Sequence, residues 1–257
     1  MIKIFISAGH GGKDPGAVGN GLLEKDINLE VAKACAKYLD ANGVLVKLSR
    51  ECDENDPVGE EVNEANAFDA DFSISFHENA GGGNGSETWY YANCYTSKTL
   101  AGYMEEASKQ LGQNSRGVKP TTSLYFLTRT KMPAVLVESA FIDTDDIHII
   151  DTEEKMRNFG RAYGQALLNF ISDTTGEIPK PSMPDPLPYP ENFLIKVRVP
   201  LNVRKGPGVE YDIVTVINDD YKYTIVETAR ANDGGIWGRL KSGAGWINIS
   251  DKFVTRC

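Results

Sequence analysis

Two of the three histidines in this chain closely follow short apolar runs. His10 comes after Ile2–Ala8 in the segment Ser-Ala-Gly-His-Gly-Gly, and His77 comes after Phe72–Phe76 in Ser-Phe-His-Glu-Asn-Ala. Glu138 follows a third run, Pro-Ala-Val-Leu-Val. If these runs are parallel strands, their carboxyl ends meet at one edge of a sheet, where the functional groups of such sheets collect. The pattern therefore predicts a site that brings His10, His77 and Glu138 together.

These residue types suit a catalytic zinc ion. Two imidazoles and one carboxylate, with water in the fourth position, form a common catalytic zinc site. Glu24 is the natural third ligand because it opens the first predicted helix, just after a glycine-rich loop. Glu138, flanked by apolar residues, would then take a proton from water and pass it to a leaving amine. Position alone also leaves open that the histidines are structural residues.

The elements that position these residues alternate between strand and helix. Apolar residues recur at helical spacing from Ile27 to Tyr38, and Gly43 is suited to end that helix. The predicted strands are Ile2–Ala8, Val44–Leu48, Phe72–Phe76 and Ala134–Val137, with Trp89–Ala92 as an antiparallel edge strand. The further predicted helices are Val62–Phe68, Leu100–Leu111 and Met156–Ile171. Such alternation predicts an α/β fold, a mainly parallel sheet covered by helices on both faces.

A proline-rich segment divides the chain. Six of its twelve prolines lie between Pro179 and Pro190, a density that neither a helix nor a central strand tolerates. Beyond it, short runs such as Ile213–Val216, Tyr223–Val226 and Gly245–Ile249 alternate with Gly, Asp and Asn, which predicts a small all-β barrel or sandwich. We therefore predict a catalytic domain at residues 1–174, a linker at 175–191 and an all-β domain at 192–257.

Charge and composition exclude some function classes. The formal net charge is −9, and the chain has no basic run, so a nucleic-acid partner is not expected. No apolar stretch is long enough for a membrane span or a signal peptide, which predicts synthesis in the cytoplasm. The four cysteines are scattered without metal-binding spacing, so reduced and mostly buried thiols are expected. His148 lies in an acidic stretch and is expected at the surface.

An ordered set of motifs in the first part of the chain resembles the zinc-dependent N-acetylmuramoyl-L-alanine amidases. These motifs span roughly residues 1–172 and are Phe5–Gly12 with Asp14–Ala17, Gly21–Asp26, Leu48–Arg50, Ser75–Ala80, Arg116–Lys119 and Met132–Glu138. The resemblance implies that His10, Glu24 and His77 are the ligands of a single zinc ion and that Glu138 is the catalytic glutamate. It also implies a substrate, the amide bond between N-acetylmuramic acid and L-alanine in peptidoglycan. One departure is Ser139–Asp143, where family members usually have a glycine before the aromatic residue and an asparagine after it.

The last part of the chain resembles a bacterial SH3-type repeat, a module that commonly binds cell walls. The motifs are Leu201–Gly208, Trp237–Leu240 and Gly245–Ile247. Tyr211, Trp237 and the loop around Asp233–Gly235 are candidates for a ligand surface, whereas Trp246 is expected in the core. An amidase joined to such a module, without an export signal, resembles a phage endolysin, which reaches the bacterial wall only after release.

Three other interpretations differ in testable ways. A non-haem iron oxygenase also uses two histidines and one carboxylate, but its usual scaffold is all-β. A zinc endopeptidase that cuts within the stem peptide would use the same metal chemistry. A non-catalytic wall-binding protein would not need all four predicted site residues. The oligomeric state is not predicted by the sequence.

Overall fold

The chain divides into two compact units, Met1–Ser182 and Met183–Cys257. The computed structural model describes residues 2–176, 192–209, 211–219, 221–231, 235–250 and 252–256. Residues 177–191 of the predicted linker lie outside the described residues, so the linker stays a prediction. Among the described residues, no helix is long and apolar enough to cross a membrane.

The first unit is built on a six-stranded sheet and a separate two-stranded hairpin. In chain order the strands of the whole unit are β1 (Lys3–Ala8), β2 (Val18–Gly19), β3 (Leu22–Leu23), β4 (Leu45–Leu48), β5 (Phe72–Asn79), β6 (Ser86–Tyr91), β7 (Ser115–Thr121) and β8 (Ala134–Phe141). The six-stranded sheet has the order β4-β1-β5-β8-β6-β7. Strands β4, β1, β5 and β8 pair in parallel, while β6 is antiparallel to β8 and parallel to β7. The short strands β2 and β3 form a separate hairpin. The predicted α/β fold with a mainly parallel sheet is confirmed.

Helices cover both faces of this sheet. They are α1 (Glu24–Ala41), α2 (Val58–Phe68), α3 (Tyr95–Gln110), α4 (Tyr125–Arg129) and α5 (Glu153–Thr175). Alternate strand residues face opposite sides, as expected for a pleated strand. Ile4 and Ile6 pack in the core formed with α1, α3 and α5, whereas Phe5 packs in the smaller core formed with α2 and α4. Strand β1 is therefore buried from Ile4 to Ala8, because helices cover both of its faces.

The expected edge strand around Trp89 has the predicted antiparallel direction but not the predicted position. Strand β6 is internal because β7 pairs with its outer side. Strand β7 contains Gly117 and Pro120 and shows no clean alternation of buried and exposed residues. It therefore lacks the period-two apolar pattern by which a strand is recognised in a sequence.

The second unit is an antiparallel sheet of seven strands. These are β9 (Phe193–Val197), β10 (Leu201–Arg204), β11 (Ile213–Ile217), β12 (Lys222–Arg230), β13 (Ile236–Leu240), β14 (Trp246–Asn248) and β15 (Val254–Arg256), in the order β11-β10-β14-β13-β12-β9-β15. Its core is apolar and includes Ile195, Val203, Ile225 and Ile247. No helix occurs in the part of this unit that the structure describes. The all-β prediction is confirmed.

Two tryptophans of the second unit differ from the prediction, whereas Tyr211 agrees with it. Tyr211 is 42% exposed, as a ligand surface requires, but Trp237 is only 2% exposed. Trp237 lies inside β13, opposite Ala229 on one neighbouring strand and Asn248 on the other, so strands flank it on both sides. Trp246, expected in the core, is half-buried at the start of β14, opposite Arg239. Asp233 and Gly234 lie outside the described residues.

The cysteines and His148 are placed as follows. Cys35, Cys52 and Cys94 are all free, but only Cys35 is buried. Cys52 is exposed and Cys94 is half-buried, so the expectation of mostly buried thiols is wrong for these two; Cys257 lies outside the described residues. His148 is exposed, as predicted, and its Nδ1 lies 2.8 Å from Oδ2 of Asp151.

Candidate metal centre

Three elements bring His10, Glu24 and His77 together. His10 lies in the turn after β1, Glu24 is the first residue of α1, and His77 lies near the end of β5. One ligand atom from each residue lies within 4.8 Å of the other two. Strands β1 and β5 are neighbours in the sheet, and the backbone amide of Gly9 donates to the carbonyl of Phe76 at 3.1 Å. The convergence that the sequence predicted is therefore present in the structure.

Glu24 is the centre of the cluster. Its Oε1 lies 3.2 Å from Nε2 of His10 and 2.9 Å from Nδ1 of His77. Its Oε2 accepts a hydrogen bond from the backbone amide of Ala17 at 2.7 Å, and only 3% of the residue is exposed. The carboxylate is therefore fixed by the chain while one oxygen faces both imidazoles.

Asp14 orients His10. The Nδ1 atom of His10 lies 2.9 Å from Oδ2 of Asp14. Donation of the Nδ1 proton to this carboxylate leaves Nε2 to face Glu24, which is the arrangement by which a carboxylate fixes the tautomer of a metal-binding histidine. The role of Asp14 was not predicted, although an acid four residues after a candidate ligand in a tight turn is a signal for it.

Two glycines allow the ligands to approach so closely. A Cβ atom at Gly9 would lie 2.3 Å from Cε1 and Nε2 of His77. A Cβ atom at Gly16 would lie 2.5 Å from Oε2 of Glu24 and 2.7 Å from Cδ2 of His10, and Gly16 also has a left-handed φ of +65°. Any other residue at these positions would displace a ligand side chain.

The electrostatics of the cluster favour a bound cation. The hydrogen bond to Glu24 is the main cause that raises the pKa of His10 to about 9. Burial alone would lower the pKa of His77, but the hydrogen bond and charge of Glu24 outweigh it, so that pKa also lies above its ordinary value. Burial opposes ionisation of Glu24, yet hydrogen bonds from both histidines hold its pKa well below the usual range. The cluster thus presents a buried negative charge between two groups that attract protons.

Glu138 lies beside the cluster, on β8. It pairs in register with His77 across the parallel strands β5 and β8. Its Oε2 is buried without a hydrogen-bond partner among the described residues, and burial raises its pKa to about 7. Glu138 was expected at the end of its strand, but β8 continues to Phe141. It remains level with His77 because that strand also extends beyond the predicted end, to Asn79.

Arg50 braces the backbone that carries His10 and Glu24. Only 2% of Arg50 is exposed. Its Nε donates to the carbonyl of Ala8 at 2.8 Å, and its Nη2 donates to the carbonyl of Lys25 at 2.7 Å. One guanidinium therefore connects the end of β1 to the start of α1. The sequence contains Arg50 in a family-like motif but gives no sign of these long-range contacts.

The donor set fits a zinc ion. At zinc distances of roughly 2.0–2.2 Å, neighbouring ligand atoms of a tetrahedral site lie roughly 3.3 Å apart. The distances from Oε1 of Glu24 to the two imidazole nitrogens, 3.2 and 2.9 Å, are close to this value. Two imidazoles and one carboxylate also leave a fourth position for water.

Comparison with known proteins identifies the family. The sequence model of the Amidase_3 family, described as N-acetylmuramoyl-L-alanine amidase, matches residues 4–169, more than half of the chain. The chain belongs to this amidase family. The prediction of an N-acetylmuramoyl-L-alanine amidase is therefore confirmed at the level of the family, and the matched residues include His10, Glu24, His77 and Glu138.

Two similar proteins differ in how much of their length they share with this chain. The N-acetylmuramoyl-L-alanine amidase LytC of Bacillus subtilis is 47% identical over 146 residues, which cover 54% of this chain but only 29% of LytC. The endolysin of Bacillus phage SPP1 is 33% identical over 275 aligned positions, which cover 98% of this chain and 97% of the endolysin. The second similarity therefore extends through both compact units.

Solved structures of amidases match the first unit. The N-acetylmuramoyl-L-alanine amidase AmiC2 of Nostoc punctiforme is similar with a TM-score of 0.62 and 29% identity, covering 66% of this chain and 97% of that chain. An N-acetylmuramoyl-L-alanine amidase from Clostridium difficile 630 has a TM-score of 0.64 at 28% identity, covering 67% and 98%. The α/β fold of the first unit is therefore the amidase fold.

Proposed function

We propose that the first unit hydrolyses the amide bond between N-acetylmuramic acid and L-alanine in peptidoglycan, with a single zinc ion held by His10, Glu24 and His77. The observation that carries the proposal is the convergence of the three ligand atoms within 4.8 Å in a chain of the amidase family. Glu138, in register with His77, is the fourth member of the proposed site.

Each proposed site residue has a distinct task. When bound, zinc polarises the amide carbonyl and makes water nucleophilic near neutral pH. His10 would coordinate through Nε2, His77 through Nδ1 and Glu24 through Oε1, because these atoms face one another. Asp14 holds the proton on Nδ1 of His10 and so keeps Nε2 available.

Glu138 is the proposed proton carrier. Its buried Oε2 accepts a proton from the attacking water and then donates it to the nitrogen of the departing L-alanine. Proton transfer in both directions is most effective when the pKa of the carrier lies near the working pH. Burial, which raises the pKa of Glu138 to about 7, supplies this condition.

For the second unit we propose an SH3-like module that binds the bacterial wall. The antiparallel seven-stranded sheet and the exposed ring of Tyr211 support this proposal. The proposed boundaries are a catalytic domain at 1–174, a linker at 175–191 and a wall-binding domain at 192–257. Their support is the division of the chain into two compact units, each with its own apolar core.

An endolysin-type role is the biological setting that we propose. Its support is the similarity to the endolysin of Bacillus phage SPP1 across 98% of this chain. In that role the protein acts on the bacterial wall after release from the cell that makes it. Peptidoglycan is the proposed partner.

Mass spectrometry of peptidoglycan fragments tests the proposed reaction. Purified walls are digested by the full chain with zinc, with a chelator, and with zinc restored after chelation. We expect free L-alanyl amino termini only in the two zinc-containing digests. New termini elsewhere in the stem peptide would instead indicate a zinc endopeptidase, and the absence of products from several wall types would favour a non-catalytic wall-binding protein.

A further inference from the structure

A row of charged side chains crosses four neighbouring strands, starting at the candidate metal centre. His77 on β5 is in register with Glu138 on β8, and Glu138 is in register with Glu87 on β6. The row ends on β7, where Nε of Arg116 donates to Oε2 of Glu87 at 2.8 Å. Residues directly opposite one another on paired strands project from the same face of a sheet. The row therefore leads from the metal ligands to a guanidinium.

Arg116 is held in one orientation by its neighbours. Its guanidinium carbon lies 5.0 Å from the centre of the Phe141 ring, a cation–π distance. Glu87, which is only 6% exposed, is itself fixed because its Oε1 accepts a hydrogen bond from Nδ2 of Asn79 at 3.1 Å. An arginine fixed in this way loses little further freedom when it binds a ligand.

The outer part of the guanidinium remains available. The side chain of Arg116 is 40% exposed. Its Nε is used by Glu87, but neither terminal nitrogen has a hydrogen-bond partner among the described residues. These two nitrogens present N–H donors in the planar fork that matches a carboxylate. If Arg116 served only to neutralise the charge of Glu87, its two terminal nitrogens would not need to be exposed.

The position of the guanidinium suits a peptide extending from the metal centre. Neighbouring strands lie roughly 4.8 Å apart, and Glu87 and His77 are two strand spacings apart. A guanidinium bonded to Glu87 therefore lies roughly 10 Å along the row from His77. An extended peptide advances roughly 3.3–3.6 Å per residue, so two residues span roughly 7 Å and the reach of the carboxylate group on the second residue covers the remaining roughly 3 Å.

We propose that Arg116 binds a carboxylate in the peptide arm of the substrate, about two residues beyond the amide bond that is cleaved. The inference rests on the proposed function because it names a feature of that substrate. Arg116 then selects peptides that carry a free carboxylate at this position over peptides that carry a carboxamide. Glu87 and Phe141 act as positioning residues, since they hold the guanidinium but do not touch the peptide.

The test compares two synthetic N-acetylmuramoyl-L-alanyl dipeptides whose second residue carries either a free carboxylate or a carboxamide. Equilibrium binding of each is measured calorimetrically to the zinc-loaded full chain with Glu138→Gln, which slows turnover by about 10²–10⁴. We expect the carboxylate form to bind about 10-fold more tightly or better, as a charge-assisted hydrogen-bond pair allows. Addition of Arg116→Gln should bring the two affinities within about twofold.

A matched variant and a second design keep this test decisive. Arg157→Gln removes an equal charge from a surface pair with Glu153 and should leave the preference unchanged. If Arg116→Gln alone misfolds because Glu87 is left buried and unpaired, the double variant Glu87→Gln/Arg116→Gln removes both charges and should show the same lost preference. A preference that survives in either Arg116 variant would overturn the inference.

Turnover of the same two peptides by the unsubstituted chain separates this inference from the proposed function. Cleavage of both peptides without any preference in binding would refute the role of Arg116 and leave the amidase proposal standing. A preference in binding that depends on Arg116, without cleavage of either peptide, would support the role of Arg116 and refute the amidase proposal.

Discussion

The two units of the chain differ sharply in what they bury. Every buried polar or charged side chain of the described residues belongs to the first unit, from Ser7 to Asp146. They include Glu24 and Arg50 at the metal centre and Glu87 in the charged row. The buried side chains described in the second unit are apolar or aromatic. Interior charge and a candidate active site therefore occur together, in one unit only.

This difference indicates where each unit performs its function. Burial of a polar group is unfavourable unless hydrogen bonds satisfy it, so a fold retains such groups at a cost in stability. In the first unit these buried groups include Glu24, one of the proposed zinc ligands. The second unit has a conventional apolar core and can offer only its surface to a ligand. Loss of function is therefore expected mainly from interior substitutions in the first unit and from surface substitutions in the second unit.

The largest effect is expected for Glu24→Gln. The substitution replaces the anionic oxygen that faces both imidazoles with a neutral amide, so zinc binding should fall from about one ion per chain to almost none and hydrolysis should stop. Elemental analysis after dialysis measures the zinc content. Glu60→Gln is the matched control, because Glu60 is also in the first turn of its helix but is exposed. Full zinc content in Glu24→Gln would refute its role as a ligand.

The next effect is expected for Glu138→Gln. This variant should retain zinc but lose about 10²–10⁴ in kcat, the usual contribution of a proton carrier. A variant that keeps kcat within about tenfold of the unsubstituted chain would refute the assignment. The exposed carboxylate Glu106 provides the control substitution, Glu106→Gln, which should leave kcat unchanged.

The pH profile of kcat/KM sharpens the same assignment. Glu138 must be ionised to accept a proton, and burial raises its pKa to about 7. Activity should therefore fall as the pH decreases through this value, which gives the profile an acidic limb. The positive charge of a bound metal shifts this limb towards lower pH. Glu138→Gln should abolish this acidic limb in whatever activity remains. The same limb in Glu138→Gln would assign it to another group.

A smaller effect, on stability alone, is expected for Arg50→Met. Buried carbonyls of Ala8 and Lys25 would lose their donors, which should lower the free energy of unfolding by at least about 2 kcal/mol. For a unit of this size the Tm should fall by roughly 4–8 °C. Arg239→Met in the second unit removes only a surface pair with Glu227 and should change stability by less than about 0.5 kcal/mol. Equal losses of stability in Arg50→Met and Arg239→Met would contradict the proposed difference between the two units.

The smallest effect is expected for Tyr211→Ala. The ring of Tyr211 lies against Gly206 at the surface of the second unit. Its loss should weaken binding to purified walls by about threefold to tenfold, as expected for one exposed aromatic contact, while hydrolysis of a soluble muramoyl peptide stays unchanged. Sedimentation with walls measures the binding, and Tyr221→Ala, at another exposed tyrosine, is the control. A loss of soluble hydrolysis in Tyr211→Ala would contradict the separation of functions.

Much of the candidate metal centre could be predicted because its signals are local. Apolar runs end just before His10 and near His77, and Glu24 opens a helix after a glycine-rich loop. Ligands on parallel strands meet at one edge of the sheet whatever the details of packing. The sequence therefore suffices to bring these three residues together without any knowledge of side-chain contacts.

The supporting residues could not be predicted because their contacts depend on register. Arg50 reaches a carbonyl 42 positions away, and Arg116 reaches a carboxylate 29 positions away. The row from His77 to Arg116 depends on the way β6 and β7 join the sheet, in the direction opposite to β8. Strand β7 has no apolar alternation, so the sequence does not reveal it as a strand. The sequence also gives no sign that Trp237 is buried, since burial in a sheet depends on which strands lie beside a residue.

Anomalous diffraction at the zinc absorption edge, from crystals of the full chain grown with zinc, tests the central claim most directly. We predict one strong peak in the first unit, within roughly 2.0–2.2 Å of Nε2 of His10, Oε1 of Glu24 and Nδ1 of His77. The claim would be contradicted by a peak elsewhere, or by zinc absent from this cluster while Glu24 keeps its hydrogen bonds to both imidazoles.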